Sequence, residues 1–206
     1  MAVPPITDRY VRALEFALRI HHKDVRKGTE IPYVSHLLQV SGLVLEHGGD
    51  EDEAIGGLLH DTAEDGEVEG LNRHEAAKHI LAQITREFGA KVAGIVAENS
   101  DGIDQPERKS DDWKQRKEAY VAAISHKSDS ALLVSMCDKL HNLRSLLADS
   151  RHLGRDHWSR FNAGRDEALW YYSSLLTAFQ KRLSDQPRLA RLCADLEGEL
   201  EEIRRL

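Results

Sequence analysis

Apolar residues recur at helical spacing along the whole chain. Between Thr7 and about Lys23, the positions Tyr10, Leu14, Ala17, Leu18 and then His21 or His22 fall on one face of an α-helix. Residues 24–34 read as a loop, marked by Arg26-Lys27-Gly28 and Pro32. Ser35 is placed to cap a second helix that reaches Glu46 and is stopped by Gly48-Gly49. Asp50 is placed to cap a third, which runs through a group of acidic residues to about Gly66. Asn72 followed by Glu75 has capping-box spacing and predicts a helix ending at Gly89, with a shorter one over residues 91–98. Residues 99–110, with Gly102 and Pro106, read as a polar loop, after which Asp111 or Asp112 caps a helix carrying Trp113 and Tyr120. Residues 130–149 turn Leu132, Leu133, Met136, Leu140 and Leu143 toward a core. Two more helices are expected over residues 156–183 and 185–206, the latter with Pro187 in its first turn. No stretch alternates apolar and polar residues for long enough to make a strand. The expectation is an all-α fold, a single helical bundle of roughly eight to ten helices.

Composition narrows the classes of function. A chain of 206 residues buries a substantial core as one domain, expected over residues 1–183 with a C-terminal helix (184–206) packed on it. The net charge of −7 offers no strongly basic face, which argues against nucleic acid as a partner and agrees with solubility. Cys137 and Cys193 form no Cys-x-x-Cys pair and are too few for a disulfide framework, as in a reduced compartment. Asp8, Arg9, Arg12 and Glu15 rule out a secretory signal over the first residues. No uncharged apolar run approaches the roughly eighteen residues a membrane span needs. A soluble, cytoplasmic protein without a membrane partner is expected.

The candidate chemistry lies in His60-Asp61-Thr62-Ala63-Glu64-Asp65, which follows the small and apolar run Ala54-Ile55-Gly56-Gly57-Leu58-Leu59. On a helix, positions three and four apart are neighbours, so an imidazole and three carboxylates share one patch. Such a patch at the end of a buried segment is costly unless a cation neutralises it. His36 and Asp138 can complete a metal site. Two imidazoles and two carboxylates suit Mn²⁺, Fe²⁺ or Zn²⁺. Four such ligands leave coordination positions open for water and a substrate oxygen. Glu64 and Asp65, one turn past the ligands, are placed to act on a water. Singly, each residue has a plainer reading. Glu64 and Asp65 can be a solvated helix end, and Asp138 can pair with Lys139 or Arg144. Their order along one helical chain favours the metal site.

These segments carry a family resemblance. Arg26-Lys27-Gly28, Pro32-Tyr33-Val34-Ser35-His36, Leu58 to Asp65, Phe88-Gly89-Ala90-Lys91-Val92 and Asp138-Lys139-Leu140-His141-Asn142-Leu143-Arg144 resemble the HD-domain phosphohydrolases. Within them the match is to the hydrolase domain of RelA/SpoT-type enzymes and the small alarmone hydrolases. The resemblance runs from about residue 8 to about residue 180. It implies an enzyme that uses Mn²⁺ to remove the 3′-pyrophosphate of guanosine tetra- or pentaphosphate. It implies metal ligands at His36, His60, Asp61 and Asp138 and a catalytic pair at Glu64 and Asp65. Arg26, Lys27 and Asn142 are implied as nucleotide contacts, and Tyr171, in the group Trp170 to Tyr172, is a further candidate.

Residues 26–36 are one residue longer than in the family's long bifunctional members, with Ile31 before Pro32-Tyr33. Arg160-Phe161-Asn162, Leu169-Trp170-Tyr171-Tyr172 and the helix with Trp113, Arg116, Lys117 and Tyr120 resemble a stand-alone bacterial subgroup instead. The hydrolase match leaves no room for a nucleotide-synthesising domain. The charged C-terminal helix is equally suited to solvent and to a partner subunit, so a homo-oligomer is compatible with the sequence. An adenosine alarmone, NADPH or a nucleoside triphosphate stays open as substrate, and so does a helical binding module without activity. The intact Glu64-Asp65 pair speaks against the last.

Overall fold

The computed structural model describes residues 5–100, 113–154, 158, 164–183, 186 and 189–206. Among them every regular element is helical, apart from a single antiparallel bridge between Val25 and Pro32. No helix among the described residues is long and apolar enough to cross a membrane. Gly102, Pro106, Arg108 to Asp112, Asp156, Arg160 to Asn162, Asp185 and Pro187 lie outside the described residues.

The chain divides into two compact units, the first formed by Met1–Lys109 with Ser128–Cys137. It holds α1 (Asp8–His21), α2 (Val34–Glu46), α3 (Glu51–Leu59), α4 (Thr62–Asp65), α5 (Arg73–Phe88), α6 (Ala90–Asn99) and the first part of α8 (Asp129–Leu153). At the centre is α3, whose Ile55, Leu58 and Leu59 are fully buried among Phe16 and Ala17 of α1, Leu37 of α2 and Val92 and Val96 of α6. Each such side chain contributes about 1.5–3 kcal/mol of transfer free energy. Gly56 and Gly57 allow the close approach on both sides of α3. A Cβ on Gly56 would lie 2.6 Å from Ile95 Cγ2, and one on Gly57 would lie 3.1 Å from Ser41 Cα. Ser41 also donates to the Ala54 carbonyl at 2.7 Å, which ties α2 to α3.

The caps follow local chemistry. Asp50 with Glu53 and Asn72 with Glu75 form reciprocal capping boxes, and Thr7 caps α1. Ser35, expected as the cap of α2, lies inside the helix instead. Pro32 fixes its own φ and begins a turn, so the Pro32 and Tyr33 carbonyls take the amides of Ser35 (3.0 Å) and His36 (2.9 Å). The loop before it is a tight reversal. Arg26 N–H donates to Ile31 O (2.8 Å) and Tyr33 N–H to Asp24 O (2.9 Å), with Gly28 supplying a φ of 72°.

The third helix also differs from expectation, because it breaks at His60–Asp61 into α3 and α4. Side chains take over the carbonyls at the end of α3. His60 Nδ1 bonds Gly57 O at 2.9 Å and the Thr62 hydroxyl bonds Leu59 O at 2.6 Å. A side-chain donor at a helical carbonyl offers the backbone an alternative to continuing the helix.

The second unit is Ser110–Lys127 with Asp138–Leu206. It contains α7 (Trp113–Ala123), a 3-10 turn (Ile124–His126), the rest of α8, α9 (Gly164–Arg182) and α10 (Ala190–Arg205). α10 buries Leu192, Cys193, Leu196, Leu200 and Ile203, and α9 buries Tyr171, Leu175 and Phe179. The Arg182 guanidinium closes the 3-10 turn by donating to the carbonyls of Ile124 (2.9 Å) and Lys127 (3.0 Å).

Candidate metal centre

The break after α3 is where the candidate chemistry gathers. A carbonyl only accepts, so the contact to Gly57 O puts the His60 proton on Nδ1 and leaves Nε2 as the lone-pair atom. His36, in the first turn of α2, is 1% exposed, and its ring lies edge-on to His60 with centroids 5.2 Å apart. Asp61 Oδ2 sits 2.9 Å from His60 Nε2 and 3.6 Å from His36 Nε2, and it accepts the Tyr33 hydroxyl at 2.6 Å.

Asp138 follows Cys137, the last residue of the first unit, on the unbroken helix α8. His36, His60 and Asp138 each offer a buried ligand atom, and these atoms all lie within 4.8 Å of one another. Both oxygens of Asp138 are held: Asn142 Nδ2 donates to Oδ1 and Lys139 Nζ to Oδ2, each at 2.6 Å. Burial works against the Lys139 charge. The Asp138 carboxylate, with Tyr120, Tyr171 and the hydrogen bond to Asp138, outweighs it and holds the lysine well above its usual range.

This donor set fits a divalent ion of borderline hardness. The clustering of imidazoles and carboxylates in a buried place is the arrangement that a cation would neutralise.

Glu64 and Asp65 occupy α4, and their amides bond the Asp61 carbonyl at 3.1 and 2.9 Å. Arg73 holds Glu64 through its carboxylate (3.3 Å) and its carbonyl (3.2 Å). Desolvation pushes the Asp65 carboxyl up to about 6, the charges of Asp61 and Glu64 add to this, and His21 and Arg73 partly oppose it.

Among the implied nucleotide contacts, the half-buried Arg26 lies over the Tyr33 ring at 5.8 Å, and Lys27 is exposed. Asn142 is turned to Asp138. Tyr171 belongs to an aromatic group of the second unit, with Trp113 at 6.0 Å, Tyr172 at 5.6 Å and Lys117 at 5.0 Å over its ring. Arg144 pairs with Glu199 at 3.0 Å, which leaves Lys139 as the partner of Asp138.

Two partners had no role assigned from the sequence, Tyr33 and Arg73, whereas the pairing of Lys139 with Asp138 was foreseen. Tyr33 stands one helical turn before His36, a spacing that could have flagged it. Arg73 is nine residues from Glu64, across a loop, and no local pattern marks it.

The HD domain family matches residues 13–165. A human protein, guanosine-3′,5′-bis(diphosphate) 3′-pyrophosphohydrolase MESH1, is 32% identical over 139 residues, 66% of this chain and 68% of its own length. A GTP pyrophosphokinase of Myxococcus xanthus is 29% identical over 150 residues, 69% of this chain and 18% of its own. Among solved structures, a metazoan ortholog of SpoT that hydrolyzes ppGpp superposes with a TM-score of 0.67 at 24% identity, covering 99% of this chain and 97% of that one. A protein of Listeria monocytogenes EGD-e gives 0.66 at 24% identity, covering 83% and 99%. These two likenesses bear on the fold. With the all-helical architecture, the buried His36–His60–Asp138 group and the family match in hand, this chain belongs to the HD-domain family, as a phosphohydrolase related to the MESH1 and SpoT proteins.

Proposed function

We propose that this chain removes the 3′-pyrophosphate from a guanosine alarmone, giving GDP or GTP and pyrophosphate, with Mn²⁺ as the working ion. The observation that carries the reading is the buried convergence of His36, His60 and Asp138 in a chain 32% identical to a guanosine-bis(diphosphate) pyrophosphohydrolase. Bound there, a divalent ion polarises a phosphoryl oxygen and lowers the pKa of water.

The chain's own residues do the rest. His36, His60, Asp61 and Asp138 hold the ion. Tyr33 orients Asp61, while Asn142 and Lys139 orient Asp138. Such outer partners fix ligand geometry and basicity. Glu64 and Asp65 take the proton of the attacking water. A carboxyl raised to about 6 is close to the range in which a base is both ionised and still basic. Arg73 keeps Glu64 in place. Arg26 has the planar guanidinium suited to stacking on a base, and Lys27 the compact charge suited to phosphate. Asn142 and Tyr171 complete the proposed nucleotide contacts.

A panel of purified nucleotides with Mn²⁺, its products separated by ion exchange, tests this. Pyrophosphate released from guanosine 3′,5′-bis(diphosphate) is the expected result. Cleavage confined to an adenosine alarmone, NADPH or triphosphates would move the substrate, and no cleavage at all would overturn the reading.

A further inference from the structure

His21 is the last residue of α1, and its side chain is 1% exposed. Its ring stacks on Tyr33, with centroids 5.0 Å apart and planes 28° apart, and Tyr33 in turn bonds Asp61 and lies 5.5 Å from the His36 ring. His21 is thus one ring removed from the candidate metal centre.

Its two nitrogens are in different situations. Nδ1 lies 2.8 Å from Oδ2 of Asp24, whose side chain is 47% exposed. Nε2 is buried and has no hydrogen-bond partner among the described residues. An ionised carboxylate only accepts, so Asp24 draws the proton to Nδ1 and leaves Nε2 as an acceptor. The two nitrogens point away from each other across the ring, so with Nδ1 toward the half-exposed Asp24, Nε2 faces inward. Buried acceptors are nearly always bonded to protein or to an ordered water, and this one has no protein donor among the described residues.

α4 closes on this end of α1. A Cβ on Gly66, the residue after Asp65, would lie 3.3 Å from Cγ2 of Ile20, the residue before His21. His21 is within electrostatic reach of the Asp65 carboxyl. The end of α1 that carries His21 and the α4 segment that carries Glu64 and Asp65 are therefore neighbours.

We propose that His21, fixed in its tautomer by Asp24, is a further residue of this site whose Nε2 accepts a hydrogen bond from the water on which Glu64 and Asp65 act. The inference rests on the hydrolytic reading of the site and adds a second acceptor for that water. One O–H of the water points to His21 and the other is left for the carboxylates, so its lone pairs are free for attack on phosphorus. No proton need move to His21 in that step; the water's proton goes to the carboxylate pair.

Two substitutions separate this role from packing. His21→Phe keeps a flat ring against Tyr33 and removes Nε2, whereas His21→Gln places an amide near the Nε2 position. On the best substrate of the wild type, His21→Phe is expected to lower kcat about tenfold, the worth of one hydrogen bond, with KM, metal content and melting temperature unchanged. His21→Gln should return kcat to within about threefold of the wild type, on the same scale. A Phe variant as active as the wild type, a Gln variant no better than Phe, or a loss confined to KM overturns the proposal. ¹⁵N spectra of the Zn²⁺-loaded wild type need no substrate. They should show His21 protonated at Nδ1, with Nε2 at the shift of a hydrogen-bonded acceptor. A bare or protonated Nε2 overturns the proposal as well. If the spectra are as expected and the wild type cleaves no nucleotide, the hydrolytic reading fails and the hydrogen-bonded His21 remains.

Discussion

Asp61 and Asp138 are held in different ways, and the difference decides what their neighbours do. Asp138 is buried with an ammonium and an amide on its two oxygens, so its charge is balanced before any ion arrives. Asp61 is half-buried, faces two imidazole nitrogens and receives one phenol. Glu64 and Asp65 lie beyond Asp61 on α4, with Arg73 on Glu64, and the role proposed for them is proton transfer. Glu64→Gln keeps the size and hydrogen bonding of the side chain. It should retain metal while turnover falls roughly 10²–10⁴-fold, and a variant that loses its ion or turns over normally contradicts the assignment. Lys27→Ala should cost about 1.5–3 kcal/mol in kcat/KM if the side chain meets phosphate, and Arg26→Ala should change the preference between guanosine and adenosine substrates. Asp65 makes a pH prediction. Its native carboxyl holds a proton up to about 6 against 3.8 for the ordinary group. The folded state thus binds that proton more tightly than the unfolded chain, and the stabilisation is complete below 3.8 and is lost as pH rises through about 6. Urea unfolding of metal-free wild type and Asp65→Asn at pH 4 and pH 7 measures it. The wild type should lose more stability than the variant over that interval, and equal losses would contradict it.

At the scale of elements, the junction between α3 and α4 matters most. It turns His60 and Asp61 toward His36 and starts a new short helix for Glu64 and Asp65. Thr62→Ala removes the hydroxyl bonded to Leu59 O in a fully buried place, at a cost of about 1–3 kcal/mol. Gly66→Ala puts a Cβ 2.3 Å from Ile80 Cδ1 and 2.5 Å from Thr62 O. The backbone oxygen cannot step aside as a side chain can, so overpacking should cost about 1–3 kcal/mol and lower activity with it. Thermal melts and turnover of both variants check this, and a Gly66→Ala chain with wild-type stability would refute it. The elements differ in how far the sequence revealed them. Asp50–Glu53 and Asn72–Glu75 are local patterns with one structural outcome, and both helix starts were legible. Ser35 had the right chemistry for a cap, but the turn begun by Pro32 satisfied the same amides from the backbone. The break at His60 was hidden because helical periodicity continues across it. Only the two side-chain bonds to carbonyls reveal it, and they depend on rotamers that spacing does not specify.

For the molecule as a whole, period and punctuation were enough to predict an all-helical fold, since no segment competes for strand. The division into two units was not legible, because α8 is one continuous helix with no composition change at Cys137–Asp138. The ligand candidates were chosen from residue type and order, and of these the structure brings His36, His60 and Asp138 together. Tyr33 sits one turn before His36, whereas Arg73 comes from a later helix, α5, and three-dimensional packing alone brings it to Glu64. The site stands or falls on His36, His60 and Asp138 holding a divalent ion, as proposed. An ion that binds only the native chain stabilises it, by about 2.7 kcal/mol at a hundred times the dissociation constant, so its loss should be visible in melting temperature as well as in composition. The most direct measurement is elemental analysis of the dialysed wild type beside His60→Ala and Asp138→Ala, each checked for an intact helical spectrum. A single divalent transition metal per wild-type chain, lost from both variants, is the expected result. Equal metal content in all three folded proteins would contradict it.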